Sequence, residues 1–277
     1  MVRPYKVKGE KRKKKGENYD KEEIEEPLEE ESAKRVRTEH TEADTEAAER
    51  VVDLLAGIPV VSTDQSTKPG VIFIIERASL EIAKIGKTYQ LLNSDEHSNF
   101  LKKNNRNPSD YRPDIAHQAM LSILDSRVNK AGRLKALYVK TENGVLFEVK
   151  KPHVRIPRTF KRFAGIMLQL LQKLSITAVG KREKLLRVRE NPVSQYLPID
   201  CRKIGFSHSS EKLVDVQEYV NGINKDMNLV FVVGAMAHGK IDTDYVEDYL
   251  SISDYPLSAA YCISMITNAV ERKWKIL

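Results

Sequence analysis

Residues 229–233, Leu-Val-Phe-Val-Val, form a continuous apolar run rich in β-branched side chains. That is the pattern of a strand buried on both faces, and it commits the chain to a sheet with cover above and below. The run stops at Gly234-Ala-Met-Ala-His-Gly239. Two glycines around small residues let the backbone turn sharply and approach a ligand without side chains in the way, although an ordinary loop with a glycine cap fits the same residues. Further on, Ile252-Ser-Asp-Tyr-Pro-Leu257 forms a second turn segment leading into an apolar helix from Ser258. Two loops therefore flank one strand end, and a ligand pocket is expected there.

The rest of the chain alternates strands with helices, which argues an α/β sheet with parallel strands. Gly70 leads into a buried strand at Val71–Ile75, and Leu80 onward reads as an amphipathic helix or loop reaching His97. Asp114 opens a helix with Ile115, Ala119, Ile123 and Leu124 on one face. Lys135–Val139 and Val145–Val149 flank the turn Glu142-Asn-Gly144 as a hairpin. Pro157 fits the first turn of a helix to about Leu174, burying Phe160, Phe163, Met167, Leu170, Leu171 and Leu174. Short strands follow at Leu185–Val188 and Lys203–Ser207, then a helix at Val214–Val220.

Charge is distributed unevenly. Residues 1–50 hold 13 Lys+Arg against 15 Asp+Glu, so of the 46 and 39 in the whole chain, residues 51–277 hold 33 against 24, or +9. Blocks of like charge at the start repel themselves and lack core-forming residues, so residues 1–50 read as a disordered charged extension and 58–277 as the folded domain. A basic folded part suggests a polyanionic partner, most often nucleic acid. Lys11-Arg-Lys-Lys-Lys15 reads as a nuclear import signal or as a tail adding electrostatic affinity for RNA. Cys201 and Cys262 form no metal-type array, and His97, His117, His153, His208 and His238 lack ligand spacing, so no metal site is expected. No signal peptide or membrane span is visible, which points to a reduced intracellular compartment.

Two further constellations could carry chemistry. In Arg155-Ile-Pro-Arg158-Thr-Phe-Lys-Arg162, arginines at a helix start oppose the dipole unless an anion sits there; backbone N–H groups and guanidinium forks both favour phosphate. A solvated basic face is the alternative. In Arg112-Pro-Asp114, the aspartate can pair with the guanidinium or simply cap the following helix.

Four segments, VFVVGAMAHGK, SISDYPLSAA, RPDIAHQ and VRIPRTFKRF, together resemble the Nep1/Emg1 family of SPOUT-superfamily enzymes. These methylate N1 of a pseudouridine in small-subunit ribosomal RNA. The resemblance implies an α/β SPOUT-type sheet with a C-terminal trefoil knot, parallel core strands flanked by helices, and family-specific insertions such as a hairpin near 139–149. It implies S-adenosylmethionine as cofactor, held by Phe206, by Gly234 and Gly239, and by Ile252, Ser253, Asp254, Tyr255, Pro256 and Leu257. Phe206 stands where many relatives carry a small hydroxyl residue, so a backbone-mediated or shifted contact is expected there. By the same resemblance Arg155, Arg158 and Arg162 hold RNA, Arg112 contacts it and Asp114 steadies Arg112; Asp95 is structural. Arg112 is the candidate for electrostatic help to the N1 anion. No general base is visible, and water could serve. A homodimer through the knotted face, pre-ribosomal assembly factors as partners and a nucleolar location within the nucleus complete what the resemblance implies. The rival reading is a catalytically idle RNA-binding assembly factor of the small ribosomal subunit.

Overall fold

A computed structural model describes residues 68–149, 154–178 and 183–276. The charged extension, the domain start near Ile58 and His153 lie outside the described residues. At the centre lies β1 (Val71–Ala78), paired in parallel with β9 (Asn228–Gly234) on one side and β4 (Leu134–Thr141) on the other. Beyond β9 come β8 (Cys201–Phe206) and the edge strand β10 (Asp248–Leu250), both parallel. On the far side β5 (Leu146–Val149), β7 (Lys184–Arg189) and β6 (Ser175–Thr177) continue the sheet antiparallel. The expected hairpin is therefore present, but its first strand belongs to the parallel core and only β5 starts the antiparallel extension.

Alternate residues of the two central strands serve different cores. Phe73, Ile75, Phe231 and Val233 join the helices α2 (Pro113–Asp125), α4 (Phe160–Lys173), α5 (Val216–Gly222) and α6 (Ala259–Trp274) in one cluster. Ile72, Ile74, Val230 and Val232 meet Val193, Cys201, Ile241, Tyr245 and Tyr249 instead. Among the described residues, then, the long helices gather on one face, while loops, strand residues and the short 3-10 turn at Val193–Tyr196 close the other. An unbroken apolar strand reports burial on two faces without saying what buries them.

Three local expectations also change. Residues 82–91 form an antiparallel hairpin, β2 (Ile82–Ile85) and β3 (Thr88–Leu91), rather than the expected helix or loop. Its two-residue turn starts at Gly86 with φ +63°, a conformation glycine supplies at no steric cost. The helix expected from Pro157 opens at Phe160, after Thr159. His117 of α2 donates Nε2–H to the Pro157 carbonyl at 2.7 Å, and Val154 and Ile156 are buried, so the preceding segment is drawn onto α2 before α4 begins. Leu174, expected in the core, is 57% exposed because it caps α4 in the left-handed conformation, φ 61°.

Candidate cofactor cavity and basic surface

All five parallel strands end on one side of the sheet, where open α/β folds bind ligands. β1 ends in Glu76-Arg77, and these two side chains organise the loops around them. Glu76, 0% exposed, accepts hydrogen bonds from the Asp242 N–H at 2.7 Å and the Tyr245 hydroxyl at 2.6 Å, with the Lys140 ammonium 3.8 Å away. Burial, then the Glu76 carboxylate, pushes the Tyr245 phenol upward, so it stays a donor. Arg77 donates twice to Glu142, at 2.9 and 2.7 Å, and once to the Lys240 carbonyl at 3.0 Å. Its own φ is 54°, uncommon outside glycine. Removing the buried carboxylate in Glu76→Ala leaves the Asp242 N–H, the Tyr245 hydroxyl and Lys140 without it; a loss of about 3 kcal/mol is expected, measured by denaturant unfolding.

A cavity of about 450 Å³ opens where β8, β9 and β10 end. Phe206, Gly234, Gly239, Ile252, Ser253, Tyr255 and Leu257 line it, which brings together seven of the nine residues expected to hold the cofactor. Asp254 and Pro256 are exposed and do not line it. The Phe206 ring lies in the core, 6.0 Å from Phe231, which suits a backbone-mediated role at that position. Turn chemistry shapes the last loop: Ser251 Oγ donates to the Ser253 carbonyl at 2.9 Å, and Ser253 Oγ accepts from the Tyr255 N–H at 3.0 Å. Cys262 also lines the cavity, its thiol pushed up to about 12 by burial and therefore protonated at neutral pH.

Next to it lies a second cavity of about 410 Å³. Arg77, Glu81, Arg106, Tyr111 and Glu142 line it, and Met236, Ala237 and His238 line both cavities, so that loop is a shared wall. Sequence reasoning missed this second chamber and the Arg77–Glu142 pair. The available signal was Glu76-Arg77, two charges closing an otherwise unbroken apolar run.

Arg112 follows Tyr111 at the start of α2. Its guanidinium donates to both Asp114 oxygens, Nε at 2.8 Å and Nη2 at 2.7 Å, and its N–H reaches Ser79 Oγ at 3.2 Å. Of the two readings of Arg112-Pro-Asp114, the paired one holds. These hydrogen bonds hold Asp114 below the usual carboxylate range and raise Arg112, with a smaller contribution from Asp95 in the first turn of α1 (Ser94–Lys103). Because the folded value is depressed, the pair is complete above the ordinary aspartate pKa of ~3.9 and is lost only as pH falls through the lower folded value.

The basic segment runs along the same helix. Arg155 and Arg162 are exposed and make no ion pair among the described residues. Arg158, 79% exposed, meets Asp125 at the far end of α2 at 2.9 Å. The His117 ring stacks on Phe163 at 4.4 Å and binds the Pro157 carbonyl, so one helix fixes the Arg112 pair at its start and the arginines beside its body. Burial lowers the His117 pKa, which keeps this ring neutral and structural. Because α4 begins only at Phe160, Arg158 precedes the helix rather than sharing its face with Arg162.

A parallel sheet with glycine-turned loops over a ligand-sized cavity at its strand ends defines an α/β protein with a small-molecule pocket, and exposed arginines stand beside α2. A family model described as EMG1/NEP1 methyltransferase matches residues 73–271. The chain is 50% identical over 206 residues to the ribosomal RNA small subunit methyltransferase NEP1 of Mus musculus, covering 74% of this chain and 82% of that protein. Identity to the Homo sapiens protein of the same name is 49% over the same coverage. Against the ribosomal RNA small subunit methyltransferase mra1 of Schizosaccharomyces pombe it is 46% over 230 residues, 80% of this chain and 63% of that protein. Among solved structures, Archaeoglobus fulgidus Nep1 bound to S-adenosylhomocysteine matches with a TM-score of 0.61 at 22% identity, covering 74% of this chain and 99% of that one. That likeness speaks for the fold. The chain belongs to the EMG1/NEP1 methyltransferase family.

Proposed function

We propose that this protein transfers a methyl group from S-adenosylmethionine to N1 of a pseudouridine in small-subunit ribosomal RNA, in the course of making that subunit. The observation that carries the reading is the pair of adjoining cavities at the strand ends: one walled by the glycine loops, the other bordered by Tyr111 and followed by the Arg112–Asp114 pair. The first cavity would hold the cofactor: Gly234 and Gly239 stand in its wall, and at 239 glycine lets the loop pass Arg77 Nη1, which a Cβ there would meet at 2.7 Å. Apolar Ile252 and Leu257 would face the adenine, and loop backbone, that of Phe206 included, would hydrogen-bond its edges. When bound, the cofactor supplies an electrophilic methyl group. Arg112 stabilises the negative charge that develops on the base as N1 gives up its proton. Paired RNAs carrying pseudouridine or uridine at one position, incubated with labelled cofactor and digested to nucleosides, test this. Label should appear only with pseudouridine, since N1 of uridine already carries the sugar; equal label on both would overturn the reading.

The basic segment supports an RNA surface. Replacing Arg155 or Arg162 by Ala should weaken RNA binding by ~1 to 3 kcal/mol each and flatten the slope of log affinity against log salt by about 0.7 per contact. Arg158→Ala should cost less, because Asp125 already engages that guanidinium. Affinity for S-adenosylhomocysteine should not change. Wild-type slopes in all three variants would leave only a solvated face.

The trefoil knot and the homodimer belong to the same proposal. After β10 the chain returns to lay α6 against both α2 and α5, two helices that precede β9 in sequence, and such a return onto earlier elements is what a threaded C-terminus requires. Much of the apolar face of α6 is used inside the chain, so the argument for a second copy rests on exposed Tyr255 and Tyr261 around its start. Light scattering should give twice 31.6 kDa, and a clean monomer would overturn the dimer. The basic run at residues 11–15 supports a nuclear, nucleolar location beside pre-ribosomal assembly factors.

A further inference from the structure

Transfer of a methyl group to N1 forms one C–N bond and breaks one C–S bond, whose electron pair returns to sulfur and cancels its positive charge. The N1 proton must leave with no electron pair, so a base has to take it. We propose that this base is His238, an assignment that rests on the function proposed above. Its imidazole receives the proton, becomes imidazolium, and passes it to solvent after transfer.

Placement argues for it. Only Met236, Ala237 and His238 line both cavities, and of these only the histidine carries a base. His238 is exposed and makes no hydrogen bond or ion pair among the described residues, so its nitrogens are available. Its backbone is nevertheless held on both sides. The Ala235 N–H donates to the Glu76 carbonyl at 2.8 Å, and Arg77 donates to the Lys240 carbonyl at 3.0 Å. A base fixed between two chambers needs little reorganisation to meet a group presented from one of them.

The competing groups are worse placed. In the second cavity Glu142 is held by Arg77 and Glu81 by Arg106, so their oxygens are already engaged. Asp110 lines that cavity but not the other. His208 lines the first cavity but not the second, and the Cys262 thiol there stays protonated. Lys240 lines the first cavity but not the second.

His238→Ala and His238→Gln separate the possibilities. Both sit on an exposed loop position, so folding should persist, and calorimetry with S-adenosylhomocysteine and with RNA should give wild-type affinities. Single-turnover methylation at saturating cofactor and RNA should fall by ~10²-fold or more in each, the usual range for a lost general base. Free imidazole should restore rate to the Ala variant and leave the wild type unchanged. Independently of turnover, the ring resonances of His238 in the S-adenosylhomocysteine complex should shift on adding pseudouridine RNA and not on adding its uridine counterpart. A Gln variant at the wild-type rate, or an Ala variant indifferent to imidazole, overturns the assignment while the parent function stands. If wild-type protein transfers no methyl to pseudouridine RNA, both fall.

Discussion

Gly239→Val should abolish strong binding of S-adenosylhomocysteine while leaving the protein folded. At φ +118° the residue occupies backbone space that side-chain-bearing residues rarely adopt, and a β-branched one is the worst suited. Strain of ~1–3 kcal/mol from the backbone alone corresponds to roughly a 5- to 150-fold loss of affinity if the loop must keep its shape to bind. The new Cβ would also stand 2.7 Å from Arg77 Nη1. The guanidinium then has to leave the Lys240 carbonyl or Glu142, which releases the loop from β1. Gly234→Ala should be milder, because the atoms it meets, Met236 Sδ at 2.5 Å and Cε at 2.8 Å, end a flexible side chain. Calorimetric titration together with a thermal melt checks both. A folded Gly239→Val variant with unchanged affinity would move the cofactor elsewhere.

Arg112→Ala should act on rate more than on binding. Its guanidinium is fixed by two bonds to Asp114 and its backbone by Ser79, so it offers charge at a set position, and losing one preorganised donor of this kind costs ~10²–10³ in rate. The fold should tolerate the change, since Asp114 is 37% exposed in its side chain and Pro113 still opens α2. Arg112→Lys should recover little, because an ammonium cannot make the two-pronged bond. Single-turnover rates at saturating RNA separate this from weaker binding. Wild-type rates in Arg112→Ala would remove the residue from catalysis and leave it a surface contact.

Much of this was legible in the sequence because it depends on local pattern. Val233 at the end of the Leu229–Val233 run, the two glycines after it, Tyr255 and Leu257 line one cavity at the strand ends. The Arg112-Pro-Asp114 spacing allowed a bidentate pair, and the pair is there. What escaped was decided by distant partners. Pro157 could have started a helix, but the hydrogen bond from His117, 40 residues earlier, holds its carbonyl on α2. The second cavity exists because β1, the turn after β4 and residues 106–111 converge, and no window of sequence shows that. His238 looked like one scattered histidine until the fold placed it between two chambers. Gly86 signalled the turn that makes residues 82–91 a hairpin, yet the apolar pattern around it suited a helix equally well.

The central claim is that the cofactor occupies the cavity at the ends of β8, β9 and β10, with the target base entering from the neighbouring one. A crystal structure with S-adenosylhomocysteine bound tests it most directly. The adenosine is predicted between Phe206, Gly239 and Leu257, with the thioether sulfur toward the Met236–His238 wall. An adenosine lodged instead among Arg77, Glu81 and Arg106 would contradict the account.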